Sequence, residues 1–125
     1  MSENTEKEAK IVFAAMSKEL FFLREHIVKF ILEQGYTPTS AFMMYSYFLL
    51  DTIDRKALIR ANNDLIRHSD ELWVFGPISD GVKAEIDLAE ELKFPIRYYE
   101  YNCKATPCSF VQISKEEVKK CIYQN

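Results

Sequence analysis

The chain has 125 residues, 48% of them hydrophobic, which suits one domain with a single core. Sixteen Lys and Arg against nineteen Asp and Glu give a net charge of −3 and a pI near 5.4, which argues against charge-driven binding to nucleic acid or to an anionic membrane. Three cysteines and two histidines argue against a disulfide framework or a zinc site, so neither metal nor cofactor is expected.

Residues 1–9 are polar and charged without a period and read as a frayed lead-in, leaving 10–125 as the domain; no apolar signal segment follows, so a cytoplasmic location is expected. Ile11 to Ala15 is a short continuous apolar run, the pattern of a strand covered on both faces. Leu20, Leu23, Ile27, Phe30 and Ile31 then recur at helical spacing, with Gly35 where a C-terminal cap belongs. Tyr36-Thr37 predicts a short second strand leading to Pro38. Ala41 to Leu50 is the most apolar run, far short of the ~20 residues of a membrane span. Its large side chains show no clean alternation, which predicts a subunit interface or a covering flap and hence a homodimer or higher homo-oligomer.

Asp54 to His68 reads as a helix with Leu58, Ala61, Asn62 and Leu65 on one side. Glu71 to Phe75 is a third strand ended by Gly76-Pro77, and Ser79 is the N-cap of a helix running to about Lys93. Pro95 to Tyr101 and Phe110 to Ile113 complete five strands, and Ser114 to Glu117 is a capping box that predicts a C-terminal helix. Strands alternating with helices predict an α/β single-domain three-layer sandwich, flavodoxin-like, with four or five mostly parallel strands in the order 2-1-3-4-5.

In such a sheet ligands bind beyond the carboxyl ends of the strands where the order reverses, here between the first and third strands. The loops there are Met16 to Glu19 and Gly76 to Asp80, each followed by a helix start able to receive an anion such as phosphate. The only glycines, Gly35, Gly76 and Gly81, cannot spell a dinucleotide fingerprint or a Walker A loop. A phospho-receiver site is absent too, since Ala14-Ala15 stands where its acids would be. Glu85 is the anomaly: it falls within the stripe of Val82, Ile86, Ala89 and Leu92 that faces the sheet. A carboxylate there needs either a hydrogen bond, to a loop backbone or to Arg60, or a catalytic role. Asp64 flanks the apolar stripe of its helix, and Asp80 has the simpler role of a first-turn acid favoured by the helix dipole. Tyr98, Tyr99 and Tyr101 are most simply strand packing.

Asn63-Asp64-Leu65, Ser69 to Gly76, Ser79-Asp80-Gly81, Ala84-Glu85-Ile86 and Ala89 together resemble the nucleoside 2-deoxyribosyltransferase superfamily. Its small uncharacterised phage and bacterial domains are the nearest likeness, over residues 61 to 100. The resemblance implies that Glu85 is the nucleophile that takes the sugar from the base. It also implies that Asp64, with Asp80 or on an ungapped alignment Ser79, holds or protonates the base. Where those enzymes keep a first-strand tyrosine against the glutamate, this chain has Val12. Hydrolases of the superfamily that act on nucleoside monophosphates carry a Gly/Ser-rich loop after the first strand, where this chain has Met16-Ser17-Lys18. Ser17, Lys18, Ser79 and Gly81 are the substrate-binding residues expected. The implied ligand is a small-molecule nucleoside or nucleotide, with no nucleic-acid or membrane partner. The function expected is cleavage or transfer of an N-glycosidic bond, and the alternative is a non-catalytic nucleotide-binding or sensing module on the same fold. A purely structural assembly protein ranks third.

Overall fold

Strand β1 (Ile11–Met16) is apolar at every position, so it is stable only with both faces covered, and it lies inside the sheet. The computed structural model describes residues 8–40, 52–104 and 108–119. Among these, β2 (Thr37–Thr39), β3 (Glu71–Phe75), β4 (Ile96–Asn102) and β5 (Ser109–Ile113) join β1 in one sheet. The order is β2-β1-β3-β4-β5, as expected from the alternation of elements. All pairings are parallel except β4 with β5, a hairpin. The apolar run 41–50, read as an interface or a flap, lies outside the described residues.

The period of two in β1 divides the core. Val12, Ala14 and Met16, with Trp73, Phe75 and Tyr99, face a short 3-10 helix (Lys18–Leu23) and α1 (Arg24–Glu33) through Leu20, Leu23, Ile27 and Ile31. Phe13, Ala15, Leu72, Val74 and Tyr98 face α2 (Arg55–Arg67) and α3 (Asp80–Glu91) through Ile66, Val82, Ile86 and Ala89. Helices therefore cover both faces of the sheet, and the arrangement is the flavodoxin-like sandwich expected. Tyr98 and Tyr99 are buried core residues, as strand packing requires.

Gly35 closes α1 in the left-handed region, φ +86°, with its N–H and that of Tyr36 donating to Leu32 O and Ile31 O. Gly76 is left-handed too, φ +75°, and a Cβ there would collide with Leu20 Cδ1. Gly76→Ala combines a backbone penalty of ~1–2 kcal/mol with overpacking. We expect it to lower the urea-unfolding free energy by about 2–4 kcal/mol.

At the amino end of the sheet, Glu71 is buried, accepting from Trp73 Nε1 at 2.9 Å and lying 3.8 Å from Arg97 Nε. The Arg97 guanidinium stacks over Trp73 (4.6 Å) and Tyr36 (5.5 Å) and donates to both the Tyr36 and Tyr99 hydroxyls.

Two expectations are corrected. The capping box at Ser114 and Glu117 forms, but it opens only a single 3-10 turn (Lys115–Glu117), after which Val118 is extended. The β5-proximal segment folds back instead, with Lys119 O accepting from Ile78 N at 2.8 Å, so tertiary pairing overrides the local helix signal. Cys103 and Cys108 form a disulfide at the loop end of the β4–β5 hairpin, just beyond the Asn102–Ser109 pair. An odd cysteine count argued against a disulfide framework, but it says nothing of one bridge that antiparallel pairing brings together.

Candidate functional site

The order reverses between β1 and β3, and there the chain leaves both strands through loops that lead into helices. Met16 ends β1 and hands over to Ser17 and Lys18; Gly76, Pro77 and Ile78 follow β3 and lead to Ser79. The Ser79 hydroxyl caps α3, accepting from Val82 N at 3.3 Å. The Gly81 N–H belongs to the first turn, where no intrahelical acceptor exists. A Cβ on Gly81 would meet nothing closer than Ser79 Oγ at 3.9 Å, so packing does not demand glycine; its small size keeps the wall of the cleft open.

These loops frame a cleft of about 150 Å³ lined by Met16, Ser17, Lys18, Ser79, Gly81 and Val82, with Arg55 from the start of α2 and Glu85 from α3. Ser17 is 2% exposed, yet among the described residues its hydroxyl has no hydrogen-bond partner. An orphaned buried hydroxyl costs ~1–3 kcal/mol unless something fills its valence. Two larger hollows, of about 290 and 280 Å³, lie beside Gly76 and Tyr101 and beside α1 and Cys108. Neither contains a buried polar atom left unpaired among the described residues, so size does not pick the site. Of these three hollows among the described residues, the smaller cleft combines a helix start, an orphaned hydroxyl and an inward carboxyl.

That carboxyl belongs to Glu85, about a turn and a half into α3, flanked by the buried Val82, Ile86 and Ala89. Burial pushes it up to about 7, and a hydrogen bond from Asn62 partly opposes the rise. Glu85 as a residue keeps some accessible surface, which fits a carboxyl crowded by protein on one side and open to the cleft on the other. Its partner is neither Arg60 nor a loop backbone: Asn62 Nδ2 donates to Oε2 at 2.5 Å.

Ser17, Lys18, Ser79, Gly81 and Glu85 are thus brought together, whereas Asp64 and Asp80 do not line the cleft. Asp64 is two residues beyond Asn62, about 200° further round α2, so when Asn62 faces α3 the aspartate must face out. It is exposed and pairs with Arg67 at 3.2 Å. Asp80 is an exposed first-turn acid of α3. The expectation that Asp64 and Asp80 serve beside Glu85 therefore loses Asp64 to the rotation of α2, while Asp80 is exposed and not among the residues lining the cleft. Two residues of the site, Asn62 that bonds to Glu85 and Arg55 that lines the cleft, were not singled out as functional from the sequence. Asn62 carried a signal, a polar residue four before the buried Ile66 on the inward side of its helix. Arg55 carried none, since only the fold brings the start of α2 to the end of β1.

Among the described residues no helix is long and apolar enough to cross a membrane. No curated protein matches the chain. A family model described as a domain of unknown function, DUF7768, matches residues 3–99, which span β1 to the middle of β4 and every residue lining the cleft. With that match over most of its length, the chain belongs to the DUF7768 family.

Proposed function

We propose that the chain breaks or exchanges the N-glycosidic bond of a nucleoside or nucleotide, with Glu85 as the nucleophile. The observation that carries the reading is a carboxyl raised to about 7 in the same cleft as the orphaned Ser17 hydroxyl and the start of α3. Two cations, Lys18 and Arg55, line it with that one carboxylate, so it favours an anion beside the helix start. At about 150 Å³ the cleft is smaller than a typical small-molecule pocket of ~300 Å³ or more. It suits the sugar and 5′-phosphate, with the base along the open side.

In this scheme a Glu85 oxygen bonds to the anomeric carbon as the carbon–nitrogen bond breaks, and the electron pair leaves with the base, which takes a proton from water. Water then hydrolyses the glycosyl ester and restores the carboxylate, or a second base accepts the sugar. The ionised form is the reactive one, so the rate should rise with pH toward about 7.

A non-catalytic nucleotide-binding or sensing module is the second reading, and one observation favours it: among the described residues no second carboxyl lines the cleft to protonate a leaving base. Incubation with a panel of nucleosides and their 5′-monophosphates, following free base by chromatography, separates the two. Release of base from the monophosphates ahead of the nucleosides is expected. Saturable binding without release would leave the module, and neither binding nor release would overturn both.

A further inference from the structure

We propose that Asn62 is a positioning residue for Glu85: from α2 its amide holds one carboxylate oxygen and leaves the other free to meet the ligand in the cleft. This rests on the reading that Glu85 acts at that cleft. Oε2 takes the 2.5 Å hydrogen bond from Asn62 Nδ2, while among the described residues Oε1 accepts none. A carboxylate with one oxygen tied has lost rotamer freedom before the ligand arrives, and its attacking atom is fixed in place.

The choice of residue is informative. Asparagine is a poor helix former, yet Asn62 sits mid-helix and bonds to no backbone group of its own helix. It stands one turn from the buried Ile66, on the side of α2 that meets α3. A neutral amide orients the carboxylate without adding a charge. An arginine there would form an ion pair, hold the group far down in pKa and dull it as a nucleophile. The cations nearby are otherwise disposed: Lys83 of α3 pairs with Asp87 at 3.1 Å and Arg67 of α2 with Asp64. Lys18 and Arg55 line the cleft without an ion pair to Glu85, and Asp80 begins α3 as an exposed acid. Asn62 is therefore the side chain through which Glu85 is held.

Carboxyl-carbon NMR titration of the full chain, wild type against Asn62→Ala, reads the proposal without needing turnover. The Glu85 midpoint should rise by about one unit when a hydrogen bond to the charged form is lost. The acidic limb of the kcat/KM profile should move with it while KM for a nucleoside 5′-monophosphate changes less than threefold. Asn62→Gln, which keeps the donor, should restore much of both. In the wild type itself the Asn62 side-chain amide resonances should titrate with the Glu85 midpoint, a readout that survives if Asn62→Ala fails to fold. A midpoint that stays put in folded Asn62→Ala, or amide resonances blind to Glu85, would overturn the proposal. A shifted midpoint with no turnover by the wild type would keep the positioning and reject the glycosidic chemistry instead.

Discussion

Glu85→Gln should cut the release of base by on the order of 10³-fold or more while ligand affinity changes far less, because the substitution keeps the shape and removes only the attacking charge. Glutamine at this position still offers an oxygen to Asn62 Nδ2, so the link between α2 and α3 is retained. The same change carries a second signature, in stability. The folded carboxyl titrates near 7, above the ordinary 4.5, so between these values the folded state binds more protons than the unfolded one. Stability contributed by the protonated group is full at low pH and lost as pH rises through about 7. Glu85→Gln has no such loss and should be more stable than the wild type at pH 8 by roughly 1–3 kcal/mol, with the gap closing below pH 5. Denaturant unfolding at the two pH values checks this. A variant that releases base as fast as the wild type would remove Glu85 from the chemistry.

Trp73→Ala is the substitution expected to damage the fold most. The side chain is fully buried, packs against Phe30, Tyr36 and Tyr99 at ring distances of 4.8 to 6.2 Å, and carries the guanidinium of Arg97 on its face. Truncation costs about 3–5 kcal/mol for the lost ring. The carboxylate of buried Glu71 also loses its 2.9 Å donor, which adds about 1–3 kcal/mol. Against a typical total of 5–15 kcal/mol, the variant should be near or past its unfolding midpoint at 25 °C. Trp73→Phe keeps most of the packing and should lose only about 1–3 kcal/mol, from the N–H alone. The chain has a single tryptophan, so far-UV circular dichroism rather than fluorescence follows the urea transition. A Trp73→Ala protein as stable as Trp73→Phe would contradict the assigned role.

Strand order and the place of the cleft were legible because both rest on local signals. A doubly covered run such as Ile11 to Ala15 has to be interior, and alternating strands and helices then leave few topologies. Ser17, Ser79 and Gly81 followed from where loops leave β1 and β3, and Glu85 from a charge inside an apolar stripe. The facing of α2 was legible only in part: Asn62 shares a side with Leu58, Ala61 and Leu65 while Asp64 flanks that stripe, and only the packing of α2 on α3 decides that the amide and not the acid meets Glu85. Buried Glu71 shows the same blind spot in part: Trp73 shares its face of β3, two residues on, but Arg97 is brought beside it only by the register of β3 with β4. The C-terminal turn went astray because a capping box marks where a helix can start but not whether chain pairing, as at Lys119, takes the segment elsewhere.

Ligand binding in the cleft between the ends of β1 and β3 can be tested without assuming catalysis. Backbone amide chemical shifts of the isotope-labelled wild-type chain, followed while a panel of nucleoside 5′-monophosphates is added, map the contact surface directly. Saturable shifts centred on Ser17, Lys18, Gly81, Val82 and Glu85 are expected, with inorganic phosphate moving the first four at higher concentration. Shifts confined to the hollows beside Tyr101 or Cys108, with the cleft residues unmoved, would contradict binding in the cleft.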